Sequence, residues 1–161
     1  MPTAATHVWR PSRARTIVLD NFVPVPRGTT PLNPTPLSWP VKDPADILDY
    51  QLDITPTLSG NDGDVIASLD VAVSPNVPGG VVVSRAAADG ASAIIWLAGG
   101  QAGITYTVTL AITTINGRTI QRSILLPVLL LSSPPVPENA IQTDAGVALT
   151  DQSGNAMIAS P

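Results

Sequence analysis

An all-β protein built as an antiparallel sandwich is what this sequence predicts, and three observations carry the prediction. Only 12% of the residues are charged and 4% aromatic, while Thr, Val, Ile, Ala, Gly and 17 prolines dominate, a mixture that favours strands and turns. Between Ile104 and Thr114 the even positions read Ile104, Tyr106, Val108, Leu110 and Ile112, and the odd ones are Thr or Ala, a period of two that marks a half-buried strand. Short apolar segments of this kind recur at intervals of about ten residues between turn signals. No long stretch carries a helical stripe.

The first 41 residues hold eight prolines, at positions 2, 11, 24, 26, 31, 34, 36 and 40, so regular structure is scarce there. Thr16 to Leu19 is the one strand candidate, and the rest reads as an extended arm with polyproline-like pieces. Up to residue 42 the arm carries Arg10, Arg13, Arg15, Arg27 and Lys42 against Asp20, a net +4, while the remainder of the chain sums to −8. Opposite signs fit either an arm that docks on an acidic neighbour or one that packs on its own domain. Trp9, Phe22 and Trp39 punctuate the arm and need apolar surface to cover them. Trp9, Arg10, Arg13, Arg15 and Phe22 are the expected interface residues of the arm, and Trp39, next to the domain, is the one expected to pack inward.

The domain is expected over residues 42–131. Asp43-Pro44-Ala45-Asp46 reads as a turn, Leu48 to Ile54 as a strand, and Asn61-Asp62-Gly63-Asp64 as a tight turn. Val65 to Ser74, Val81 to Ser84 and Ala93 to Leu97 supply further strands on either side of Pro75 to Gly80 and Asp89-Gly90. The strand Ile104 to Thr114 is entered through Gly99, Gly100 and Gly103 and leaves through Asn116-Gly117, a strong hairpin signal. A two-residue loop there would oppose Ile112 to Gln121 and mix the faces. A three-residue loop, Ile115-Asn116-Gly117 with Gly117 left-handed, instead pairs Ile112 with Ile120, Val108 with Ile124 and Tyr106 with Leu126. Six or seven such strands make an immunoglobulin-like sandwich the expected architecture.

Residues 132–137 include Pro134, Pro135 and Pro137 and read as a stiff linker. Residues 138–161 form a short β-repeat tail. Ala140 to Val147 aligns with Ala148 to Asn155, and Ala156-Met157-Ile158 begins a third copy. Each unit is a strand of about four residues and a turn, expected to run as a meander. It is too small to bury anything alone, so Ile141, Leu149 and Met157 are expected to meet a partner surface.

Several classes of function are excluded or disfavoured. Without cysteine there is no disulfide framework and no Cys/His pair, and the sole histidine, His7, lies in the arm, so an enzyme is not expected. The carboxylates Asp43, Asp46, Asp49, Asp53, Asp62 and Asp64 are read as turn and capping groups, with no metal or cofactor expected. Dispersed arginines in a chain of pI about 4.6 are a poor footprint for nucleic acid. No apolar run is long enough to span a bilayer, and the N-terminus lacks the apolar region of a signal peptide.

Four motifs in the region Lys42 to Leu130 carry a resemblance. They are Asp43-Pro44-Ala45-Asp46-Ile47-Leu48-Asp49-Tyr50, Gly63-Asp64-Val65-Ile66, Trp96-Leu97-Ala98-Gly99-Gly100-Gln101-Ala102-Gly103-Ile104-Thr105-Tyr106 and Thr114-Ile115-Asn116-Gly117-Arg118. In this order they resemble small phage proteins described as fibre-tail adaptors. The resemblance implies a non-enzymatic virion structural protein, assembled in the bacterial host cytoplasm in multiple copies. Its partners would be other virion structural proteins, with fibres or neighbouring subunits joined to the tail or neck. A capsid decoration or cement protein is the alternative, and a carbohydrate-binding sandwich on a fibre is a second one, with few aromatics to build its platform.

Overall fold

A computed structural model describes residues 10–20, 27–28, 35–60, 63–132, 139–144 and 148–159. The chain divides into two compact units, Met1–Leu131 and Ser132–Pro161. Unit one is a sandwich of two four-stranded sheets, ordered β1-β3-β6-β5 and β2-β8-β7-β4. The strands are β1 (Thr16–Val18), β2 (Leu37–Ser38), β3 (Leu48–Asp53), β4 (Ile66–Ser74), β5 (Val81–Asp89), β6 (Ser92–Gly99), β7 (Thr105–Thr114) and β8 (Thr119–Pro127). No helix among the described residues is long and apolar enough to cross a membrane.

The β7-β8 hairpin has the expected register, with Ile112 opposite Ile120, Val108 opposite Ile124 and Tyr106 opposite Leu126. Its loop is closed by Thr114 and Arg118, the Thr114 N–H donating to the Arg118 carbonyl at 2.8 Å. Gly117 takes φ +82°, which a residue with a Cβ adopts at a cost. The inward side chains of β7, together with Tyr50, Leu52, Ile95, Leu97, Ile124 and Leu126 from both sheets, form one core from which water is excluded.

β4 departs from a simple alternation. Ile66 is buried, yet the next inward residues are Leu69, Val71 and Val73, because the register slips between Ile66 and Ser68. The extra residue at this bulge lets Ile66 and Leu69 share a face, which period-two reading assigns to opposite faces. β5 is also longer than expected, continuing through Asp89.

The six strands of residues 48–127 pair antiparallel, as predicted. The arm adds a parallel strand to each sheet: β1 runs beside β3, and β2 beside β8. β2 sits between Pro36 and Pro40, and a proline-flanked segment is tolerated at a sheet edge, where one row of N–H groups faces away from the ladder. The chain keeps following β8 beyond β2, the Trp39 N–H donating to Leu125 O at 2.9 Å and the Lys42 N–H to Pro127 O at 3.0 Å. Leu19 and Trp39 enter the core, and the Trp39 ring lies 5.0 Å from that of Tyr50. The described part of residues 1–41, expected as a docking arm, therefore closes one edge of each sheet.

Candidate docking surfaces

The residues that fasten the sandwich come first, because they separate scaffold from surface. Lys42 is fully buried, and its Nζ donates to Asp43 O at 2.7 Å and Gly99 O at 2.8 Å. Burial pulls its pKa below the ordinary lysine value, against the opposing charges of Asp46 and Asp43. Asp43 accepts the Ala45 N–H through one carboxylate oxygen and the Leu131 N–H through the other, both at 2.8 Å, so the start of the domain is tied to its end.

Asp64 makes the second tie. Its buried carboxylate accepts the Asn116 N–H and the Arg118 guanidinium. Burial would raise its pKa, but the bonds from Asn116, Arg118 and Thr114 and the Arg118 charge outweigh it and hold the group below the usual carboxylate range. The Gly99-Gly100 corner is a third. At Gly100 φ is +109°, and an added Cβ would stand 2.9 Å from a Val81 methyl and 3.0 Å from one of Val128. The four motifs of the sequence thus meet in pairs, the Lys42 region with Gly99 and Asp64 with the Asn116-Gly117-Arg118 turn. They are fasteners of the fold.

Of the acidic residues weighed as metal ligands, Asp62 lies outside the described residues, and Asp43, Asp49, Asp53 and Asp64 have protein partners. Asp49 pairs with Arg15 at 2.7 Å, and Asp53 accepts the Thr55 N–H and hydroxyl. Among the described residues no three His, Cys, Asp or Glu side chains converge on a point that could hold a metal ion.

Of the expected interface residues in the arm, Trp9 and Phe22 lie outside the described residues. Arg15 is engaged inside the chain: besides the ion pair, its Nε donates to Asp49 O at 2.7 Å. Nearby, burial pushes the Tyr50 hydroxyl up to about 12, the Arg15 charge opposing and Asp46 and Asp49 adding to the shift. Arg10 and Arg13 are exposed. They border an open cleft of about 450 Å³ on the outer face of the first sheet, whose other walls include Gln51, Asp53 and Asp89. Two arginines and two aspartates among its walls suit a polar partner of mixed charge.

Unit two has an architecture of its own. Bridges join Gln142 to Ala148, Thr150 to Ala156 and Ala140 to Ile158, so the three repeats pair in a closed ring where a meander would leave the first and third apart. The Leu149 N–H donates to Ile141 O at 2.8 Å, the Met157 N–H to Leu149 O at 2.7 Å, and the Ile141 N–H to Met157 O at 2.8 Å. Going round the ring, each repeat donates one bond to the repeat before it and accepts one from the repeat after it. Ala140, Ala148 and Ala156 are half-buried, whereas Ile141, Leu149 and Met157 are 40%, 42% and 47% exposed. Three equivalent positions therefore display three similar apolar side chains. One turn is held by Asp151, whose side chain accepts the Ser153 and Asn155 N–H groups at 2.8 and 2.9 Å.

A further exposed apolar run, Leu129 to Leu131, follows β8 at 46%, 58% and 60% exposure. Its signal in the sequence was an apolar stretch that outlasts the strand.

A family model described as the podophage GP4 fiber-tail adaptor protein gp77 matches residues 42–127, more than half of the chain. No curated protein matches it. The match begins at the buried lysine and ends with β8, and so spans the six antiparallel strands β3 to β8 of the sandwich; the chain belongs to this family of phage fibre-tail adaptors, structural proteins of the virion.

Proposed function

We propose that the protein is a connector that joins fibres or neighbouring subunits to the phage tail or neck, with the sandwich as its rigid body and the C-terminal ring as a docking element. The observation that carries this reading is where the unexplained apolar surface lies. The four motifs, all within the matched region, fasten the fold, while Ile141, Leu149 and Met157 lie outside that region and are displayed at equivalent positions. Side chains that repeat in register and gain so little cover from their own unit are suited to covering by another surface. Arg10 and Arg13, which line a cleft that also holds carboxylates, supply a separate polar contact on the sandwich. Other virion structural proteins are the partners on this reading.

The test is assembly of particles with the Ile141→Asp/Leu149→Asp/Met157→Asp variant. Particles should lack this protein or the component it attaches, while the variant's sandwich unfolds at the wild-type temperature. Normal incorporation and normal fibre number would refute a docking role for the ring. Imaging of intact wild-type particles distinguishes the connector from a capsid cement protein by position, a capsid location overturning the proposal.

A further inference from the structure

We infer that β5 is a self-association edge, on which two copies of this chain pair antiparallel about a two-fold axis centred at Ala87. Among the described residues the sheets have four edge strands, and two of these are the short arm strands β1 and β2, of three and two residues. β4 and β5 form the others, each with nine residues. From Ser84 to Asp89 every residue of β5 is exposed, and after the bulge between Val83 and Arg85 the strand is regular against β6. An exposed edge of this length offers a row of unpaired N–H and C=O groups to another strand.

Charge placement selects the occupant. Arg85 and Asp89 are four residues apart and so share a face of the strand. In an antiparallel pair centred on Ala87, Arg85 of each copy lies opposite Asp89 of the other, and Ala86 opposite Ala88. Two cross-strand ion pairs form by symmetry and no bulky side chain intrudes. A parallel arrangement would set Arg85 against Arg85. β4 behaves oppositely: its central residue is Asp70, so self-pairing about its middle would oppose two carboxylates. The sequence thus favours pairing at one open edge and disfavours it at the other. Among the described residues neither Arg85 nor Asp89 makes an ion pair, although Asp89 borders the cleft that also holds Arg10 and Arg13.

Sedimentation of the full chain over a concentration series tests this. The wild type should show a reversible dimer. Arg85→Asp and Asp89→Arg should each weaken it roughly tenfold or more, since two attractive pairs become two repulsive ones. Arg85→Asp/Asp89→Arg should restore it, because the exchanged charges are again complementary. Arg10→Ala/Arg13→Ala should leave it unchanged.

A second measurement uses the lack of cysteine in the described chain. Residues opposed across the axis have Cα atoms about 4.5–5.5 Å apart, within disulfide range. Ala87→Cys should therefore oxidise to a covalent dimer, and Val82→Cys, far from its counterpart in this register, should not. A wild type that stays monomeric to about 1 mM, a dimer insensitive to the single reversals, a double variant that fails to regain it, or equal cross-linking at both cysteines would each overturn the proposal.

Discussion

The sandwich and the C-terminal ring are both made of short alternating strands, yet they are held together by different forces. In the sandwich, residues such as Leu52, Ile95, Leu97, Leu110 and Ile124 have no exposed surface at all, and their burial supplies the stabilisation. In the ring, the most visible order is a cycle of three main-chain hydrogen bonds, while its largest side chains remain about half exposed. A main-chain bond contributes about 0.5–1.5 kcal/mol net, and ordering a residue costs about 1–2 kcal/mol. On the reading proposed above, the same pattern of residues gives a self-sufficient body in one place and, in the other, a shape completed by what it touches.

The largest expected contrast comes from leucine truncation. Leu110→Ala removes a side chain with no exposure and should cost about 2–5 kcal/mol of unfolding free energy in urea. Leu149→Ala should leave that transition within about 0.5 kcal/mol of wild type. Equal losses would erase the distinction between the units.

Gly100→Ala should come next. It forces a left-handed backbone on a residue with a Cβ and pushes that atom against Val81 and Val128 at 2.9 and 3.0 Å. A loss of about 2–4 kcal/mol is expected from strain and overpacking together, read from the same urea transition.

Acid sharpens the comparison further, because Asp64 and Asp151 are both held below the usual carboxylate range, one in each unit. At Asp64 burial opposes the shift and the Asn116, Arg118 and Thr114 bonds outweigh it; at Asp151 the Asn155 N–H leads the causes. A folded pKa below the unfolded value means stability that is present above about pH 4 and is lost as pH falls through the folded value. Melting temperature followed from pH 7 down to pH 3 should therefore drop less steeply for Asp64→Asn than for wild type, from a lower starting point. Asp151→Asn should leave the profile of the sandwich unchanged.

Among the substitutions within the sandwich, the smallest effect is expected at Arg15→Ala. The Arg15-Asp49 pair is partly exposed, and its loss should cost at most about 1 kcal/mol, falling further in high salt.

How far the sequence could be read follows the range of the contacts involved. The β7-β8 register was legible because a local loop and a two-sided pattern fix it together. The sandwich followed from alternation that any strand of the core must show. The bulge in β4 was hidden, since its signal is a single misplaced residue. β2 was hidden too: two residues between prolines become a strand because β8, far along the chain, offers them an edge. Lys42 gave no sign of burial, as its partners are main-chain carbonyls, one of them at Gly99. The repeat in the tail was visible as a period of eight, but its closure depends on Ala140 meeting Ile158, which no local pattern encodes. Arg15 was grouped with Arg10 and Arg13 by charge, and Asp49 singles it out in space.

Amide exchange at Ile141, Leu149 and Met157 tests the central contrast most directly. These three N–H groups close the ring, so their protection reports its stability without reference to the sandwich. In the isolated chain they should exchange fast, while amides of β7 are protected up to the free energy of global unfolding; in assembled particles the three should become protected. Protection in a verified monomer equal to that of β7 would contradict the account, showing the ring to be as self-sufficient as the sandwich.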